Sequence, residues 1–124
     1  MCCLIGDSLT NPKGVYVCEG WATGSSLYEL YGLPVLVAFD AGNLLPVAQA
    51  YRARYMGAHI TICADNDRKT PGNPGITKAA EVAEKVPGVS VAVPQFPADA
   101  PITLSDINDL MVYSRQQSRI EATA

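Results

Sequence analysis

Ile60-Thr61-Ile62-Cys63-Ala64-Asp65-Asn66-Asp67 is an unbroken apolar, largely β-branched run that stops at two carboxylates two positions apart. Apolarity without alternation marks a strand covered on both faces, as in a parallel sheet. Three more runs have this character: Val15 to Cys18, Val35 to Phe39 and Val89 to Val93. The segments between them carry helical spacing. From Asn43 to Met56, Leu44, Val47, Ala48, Tyr51 and Tyr55 share one face, Arg52 and Arg54 point outward, and Pro46 sits in the tolerated first turn behind an Asn43 cap. Asn73-Pro74 opens another helix, with Ile76, Ala79, Ala80, Ala83 and Val86 as its inner stripe and Pro87-Gly88 as its end. A shorter helix spans Thr23 to Tyr31 and closes at Gly32, and a last one follows Ser105 with Ile107, Leu110 and Met111 facing inward.

The resulting order, βαβαβαβ plus a terminal helix, predicts an α/β fold: a mainly parallel four-stranded sheet between helices, joined by right-handed crossovers. Cys2-Cys3-Leu4-Ile5 reads as an extra N-terminal strand. Because it starts directly at Met1, the chain is expected to be a piece of a larger polypeptide. At 124 residues and 48% hydrophobic content there is material for one core, so residues 1–124 are expected to form a single domain with its core at about 15–110.

Composition excludes several functions. A net charge of -3 argues against a protein whose whole surface grips phosphate backbones. No run approaches the ~20 apolar residues that cross a bilayer, so the expectation is no membrane contact and a cytoplasmic location. Cys2, Cys3, Cys18 and Cys63 lack the spacing of paired zinc knuckles, and Cys18 and Cys63, inside strand-like runs, read as buried thiols. With His59 as the one histidine, general acid/base chemistry built on histidine is disfavoured.

Ligands of open parallel sheets bind beyond the carboxyl ends of the strands, and there the sequence places acids. The first long strand ends in Glu19-Gly20, the second in Asp40-Ala41-Gly42, the third in Asp65-Asn66-Asp67. In an extended segment Asp65 and Asp67 project to one side and Asn66 to the other. If the first and third of these strands are neighbours, Glu19 faces the pair. Three carboxylates in one crevice repel unless a cation neutralises them, and hard oxygen donors suit Mg²⁺ or Mn²⁺. The plainer reading is that acids at strand ends cap helices and make turns, and it applies best to Asp40.

Glu19-Gly20-Trp21-Ala22-Thr23-Gly24, Val37-Ala38-Phe39-Asp40-Ala41-Gly42-Asn43-Leu44 and Ala64-Asp65-Asn66-Asp67, with the later Gly75 and Lys78, resemble the Toprim region of primases and primase-helicases of phages, plasmids and integrated elements. Ser105-Asp106-Ile107-Asn108-Asp109-Leu110 is similar to the D-x-N-D element that follows the last core strand in many of them. The resemblance spans about Val15 to Leu110. It implies a Mg²⁺- or Mn²⁺-dependent nucleotidyltransferase module for RNA primer synthesis in DNA replication. Its partners would be single-stranded DNA template, nucleoside triphosphates and other domains of a full-length primase, a helicase among them. It also implies that Asp65 and Asp67 coordinate metal, and that Glu19 transfers a proton at the reacting 3′ oxygen or shares the metal.

Physical reasoning divides the roles in the same way, since a carboxylate pair suits one cation and a third acid can assist the nucleophile. Arg68, Lys69 and Lys78 are candidates for holding triphosphate or template phosphates, against the alternative of solvated surface charge. Asp40 is a peripheral acid, and Asp106 and Asp109 either cap the last helix, the preferred reading, or line the rim. The Thr70 to Gly75 segment is expected to be an exposed loop near the metal, and Trp21 is the one aromatic singled out for base stacking. A metal-dependent nuclease and a non-catalytic recruiting module remain alternatives, and the domain alone is expected to bind metal yet make no primers. A receiver-type domain is disfavoured because its paired acids come early, whereas here the pair follows a later strand.

Overall fold

The computed structural model describes residues 2–6 and 14–123, with side chains through 118. Its elements are β1 (Cys3–Ile5), β2 (Val15–Cys18), α1 (Trp21–Tyr31), β3 (Val35–Val37), α2 (Leu44–Arg54), β4 (Ile60–Cys63), α3 (Pro74–Lys85), β5 (Val89–Ala92) and α4 (Ile107–Thr123). A short 3-10 turn, Ala41–Asn43, leads into α2. One five-stranded sheet runs in the order β1-β3-β2-β4-β5. β3, β2, β4 and β5 are parallel, and the N-terminal strand β1 lies antiparallel against β3 at the edge.

Side-chain alternation sorts each strand between two helical layers. Val15, Val17, Leu36, Ala38, Ile60, Ile62 and Ala64 face the layer of Leu44, Val47, Ala48 and Tyr51 from α2 and Ala79 and Val82 from α3. Cys18, Val35, Val37 and Cys63 face the other way, against Leu27 and Tyr28 of α1 and Ile107 of α4. Both central thiols are buried and free, as their strand positions required. Helix α1 reaches the sheet closely because it presents small residues: a side chain on Gly24 would run into Val37 and Ile5, and Thr23 and Ser26 are buried beside it.

The structure departs from sequence expectation at several points, each with a local cause. Asn43 does not cap α2 with its side chain, which donates instead to the Ala38 carbonyl (3.0 Å). Asp40 starts the turn, its Oδ1 accepting from the Gly42 N–H (2.9 Å). Along α3 the buried stripe is Gly75, Ala79, Val82 and then Val86, while Ala80 is exposed, because the helix is rolled to press its first turn on the β4 end. Edge strand β5 is not covered on both faces, since Val89 and Val91 are half-buried and Ser90 and Ala92 exposed.

Arg52 does not point freely outward. Its guanidinium donates to the carbonyls of Pro87 (2.9 Å), Tyr55 (2.9 Å), Met56 (3.1 Å) and Gly88 (3.3 Å), tying the end of α2 to the α3–β5 turn. Charge-assisted bonds of this kind contribute about 1–2 kcal/mol together when partly solvated. Arg52→Lys, which cannot span four carbonyls, is therefore expected to lower the melting temperature by roughly 4–8 °C. A thermal denaturation curve superposing on wild type would show that the clamp contributes nothing.

Candidate metal centre

β2 and β4 are neighbours, with Cys18 opposite Cys63 in register, so Glu19 and Asp65 emerge from adjacent strand ends. This is also where the chain changes direction. β2 connects outward to β3 through α1 on one face, and β4 connects to β5 through α3 on the other. The crevice at such a reversal is the usual ligand site of an open α/β sheet.

Glu19 and Asp65 are half-buried and share a side-chain hydrogen bond. Burial pushes Asp65 up to about 7, helped by the charges of Glu19, Asp106 and Asp67 and by that bond. Burial also raises Glu19, followed by Asp67 and Asp40, while the bond to Asp65 pulls it down. Two carboxyls share a hydrogen bond only when one of them is protonated, so the pair holds a proton between them. The other Asp65 oxygen, Oδ1, is buried with no hydrogen-bond partner. A buried acceptor facing like charges is a position where a cation lowers the free energy.

Asp67 is held by backbone. Its Oδ2 accepts from the Gly75 N–H (2.8 Å) and its own N–H donates to Asn73 Oδ1 (2.9 Å). Asn73, at φ 41°, also donates to Asn66 Oδ1 (2.8 Å), and Asn66 Nδ2 donates to the Pro94 carbonyl (3.0 Å). Asn66 thus points away from the acids, as extended geometry requires. Asn66, Asn73 and Gly75 position the acids, a role that reading the sequence did not assign to them; Asn73-Pro74-Gly75 showed a helix start, without indicating that the helix end grips the acidic strand. The Thr70 to Gly75 segment is exposed through Gly72, but Gly75 is buried.

Asp40 is exposed and occupied with its turn, though its charge reaches Glu19. Asp106 and Asp109 form a reciprocal cap on α4: Asp109 N–H donates to Asp106 Oδ1 (2.8 Å), and Ser105 N–H donates to Asp109 Oδ2 (3.0 Å). Asp106 does more than cap, because its charge raises Asp65 and its own carboxyl is pushed up, chiefly by burial.

Of the three cations, Arg68 is engaged with another loop and the two lysines lie at the surface. Arg68 Nη2 donates to the carbonyls of Pro101 (2.8 Å) and Leu104 (3.2 Å), with the guanidinium 4.4 Å from the Phe96 ring centre. Arg68 thereby anchors the loop that leads to α4, a structural use instead of an outstretched phosphate ligand. Lys69 is exposed, and Lys78 lies on the surface 3.8 Å from Glu81.

The residues able to hold a hard cation are therefore Asp65 and Asp67, with Glu19 across the crevice. Among the described residues no three acidic, histidine or cysteine side chains are drawn together into a closed coordination set. The orphaned Asp65 oxygen and the all-carboxylate donors fit Mg²⁺ or Mn²⁺. No helix among the described residues is long and apolar enough to cross a membrane.

Comparison with known proteins identifies the family. The chain is similar to a protein named DNA primase TraC from Escherichia coli, with 38% identity over 99 residues, covering 77% of this chain and 9% of that protein. A second Escherichia coli protein of the same name is 36% identical over 99 residues, 77% of this chain and 7% of that one. The chain thus spans less than a tenth of the length of the curated relatives it matches. No solved structure matches it significantly. The Toprim domain profile matches residues 14–116, the whole span from β2 into α4, and the chain belongs to the Toprim domain family.

Proposed function

We propose that this chain is the metal-binding catalytic module of a DNA primase, acting in Mg²⁺-dependent nucleotidyl transfer during RNA primer synthesis on single-stranded DNA. The observation that carries the reading is the β2–β4 crevice, where a buried, unpartnered Asp65 oxygen faces Glu19 and the backbone-held Asp67. Similarity to proteins named DNA primase supports the choice of reaction. Asp65 and Asp67 would hold the cation, which would offset charge on the attacking and leaving oxygens of the phosphoryl group. Glu19 would take the proton from the 3′ hydroxyl, and its raised proton affinity makes it a better base than a surface carboxylate. Asp67, fixed by Gly75 and Asn73, would keep one oxygen aimed at the site.

The grip on template phosphates and any helicase activity would come from other domains, since the net charge of -3 and the engaged Arg68 leave little here to hold a polynucleotide by its phosphates. The module would bind metal and, alone, make no primers.

The test is a Mn²⁺ and Mg²⁺ titration followed by thermal shift, on wild type beside Asp67→Asn and Glu19→Gln. At a metal concentration near 100 times Kd the stabilisation should be about 2.7 kcal/mol, roughly 10 °C. It should be lost in Asp67→Asn and weakened in Glu19→Gln. No shift in wild type at millimolar metal would overturn the metal module in favour of a recruiting one. Metal-dependent degradation of single-stranded DNA without nucleotides would replace primer synthesis with a nuclease reaction.

A further inference from the structure

Phe39 is held in a backbone conformation that its side chain does not favour. Its φ is 69°, in the left-handed region where a bulky aromatic is a true outlier. The conformation is fixed because the Phe39 N–H donates to the Glu19 carbonyl (2.7 Å), which joins the β3 end to the β2 end. Glycine or asparagine would make that bond with less strain. Packing does not compensate for the choice of phenylalanine, since 54% of the residue is exposed. Strain kept on an exposed side chain beside a reactive carboxylate points to function.

A second aromatic stands on the same lip. Trp21 begins α1 two residues after Glu19 and is 52% exposed. A side chain built on Gly20, between Glu19 and Trp21, would meet nothing within 4 Å, so the space over this strand end is open. Trp21 and Phe39 therefore follow two neighbouring strand ends, Trp21 two residues after Glu19 and Phe39 bonded to the Glu19 carbonyl, and both are exposed.

We infer that Trp21 and Phe39 form a stacking surface for an unpaired base of single-stranded DNA, placed so that the strand passes the Glu19 crevice. The inference rests on the proposed polynucleotide-directed function and names the surface that would recognise the strand. Charge argues for a base rather than a phosphate as the group recognised. The crevice is lined by acids, Arg68 is committed to the Pro101 and Leu104 carbonyls, and Lys78 lies by Glu81, so the contact this lip itself offers is an aromatic face. Every base offers a π-face to an aromatic ring, and stacking of this kind is tolerant of sequence.

The chain contains one tryptophan, and it is in the surface, so the protein carries its own reporter. Oligo(dT) should quench Trp21 fluorescence, and a blunt duplex of the same length should not. Phe39→Ala should weaken oligo(dT) binding about tenfold, and Phe39→Tyr should retain it. Phe39→Gly should bind as weakly as the alanine variant while melting about 4 °C higher, because strain is relieved as the ring is lost.

Affinity within twofold of wild type in Phe39→Ala, or no quenching of Trp21 by oligo(dT), overturns the stacking surface. A Mn²⁺ thermal shift without an oligo(dT) response would refute the surface and leave the metal module standing. An oligo(dT) response without a Mn²⁺ shift would do the reverse.

Discussion

Gly75→Ala is expected to lower stability by about 3 kcal/mol or more, roughly 12 °C in melting temperature, although the change adds only one methyl group. Gly75 opens the first turn of α3 and is buried against the end of β4. A Cβ there would collide with the Asp65 carbonyl and lie 2.8 Å from Asp67 Oδ2. Neither obstacle can swing aside, because the carbonyl is backbone and the Asp67 oxygen is bonded to the Gly75 N–H itself. Helix α3 would have to lift from the sheet, which breaks that bond and disturbs the Asp67–Asn73–Asn66 chain at once. The loss is expected to fall on metal binding too, since Asp67 would no longer be held by backbone. Thermal melts with and without Mn²⁺ would check both effects. A Gly75→Ala protein that melts within 3 °C of wild type would mean that the α3 contact is looser than the geometry requires.

Gly75 also illustrates what the sequence could and could not reveal. The strands, the helices and the extra N-terminal strand were legible because each depends on local patterns: apolar runs, helical spacing, and proline and glycine at helix ends. The acids were legible as strand-end residues, whereas the pairing of β2 with β4 entered the reading only as a condition and is supplied by the structure. Contacts between elements were not legible. Nothing around Arg68 in the sequence indicates that its guanidinium closes over carbonyls more than 30 residues on.

Asp106 is the instructive case among the acids. It looked like a helix cap, and it is one, but its charge reaches Asp65 because the Asn66 N–H donates to the Ser105 carbonyl (2.6 Å), a contact between distant segments. The strain at Phe39 is equally hidden, because its cause is a hydrogen bond to Glu19, a residue from the neighbouring strand end.

Without metal, the protein should become less stable as pH rises from about 4 to about 8, and Asp65→Asn should remove most of that decline. Asp65 titrates near 7 in the fold, against 3.8 for its ordinary value. Between those two values the native chain holds a proton that the unfolded chain has released. Stability from this group is therefore fully present below the unfolded value and is lost as pH climbs through the folded one. The full shift would correspond to about 4 kcal/mol at 1.36 kcal/mol per pH unit, and partial exposure of the carboxyl to water reduces this to about 2 kcal/mol. Asparagine keeps the shape and has an N–H that can donate to Glu19, yet never ionises. At pH 8 the variant should melt roughly 8 °C above wild type, with the gap closing near pH 4.

Metal should reverse the order. At pH 8 saturating Mn²⁺ should lift wild type past Asp65→Asn, whose amide is a poor substitute for a charged ligand. The gain should shrink toward pH 5.5 as protons compete for the same oxygens. Melting curves over this pH range, with and without Mn²⁺, test the coupling directly. A gap between the two proteins that does not vary with pH would remove Asp65 as the titrating acid. A Mn²⁺ gain of equal size in both would remove it as a ligand. The crowding that costs stability in the metal-free protein is the same charge arrangement that would make a divalent cation bind, so both responses should disappear together in the asparagine variant.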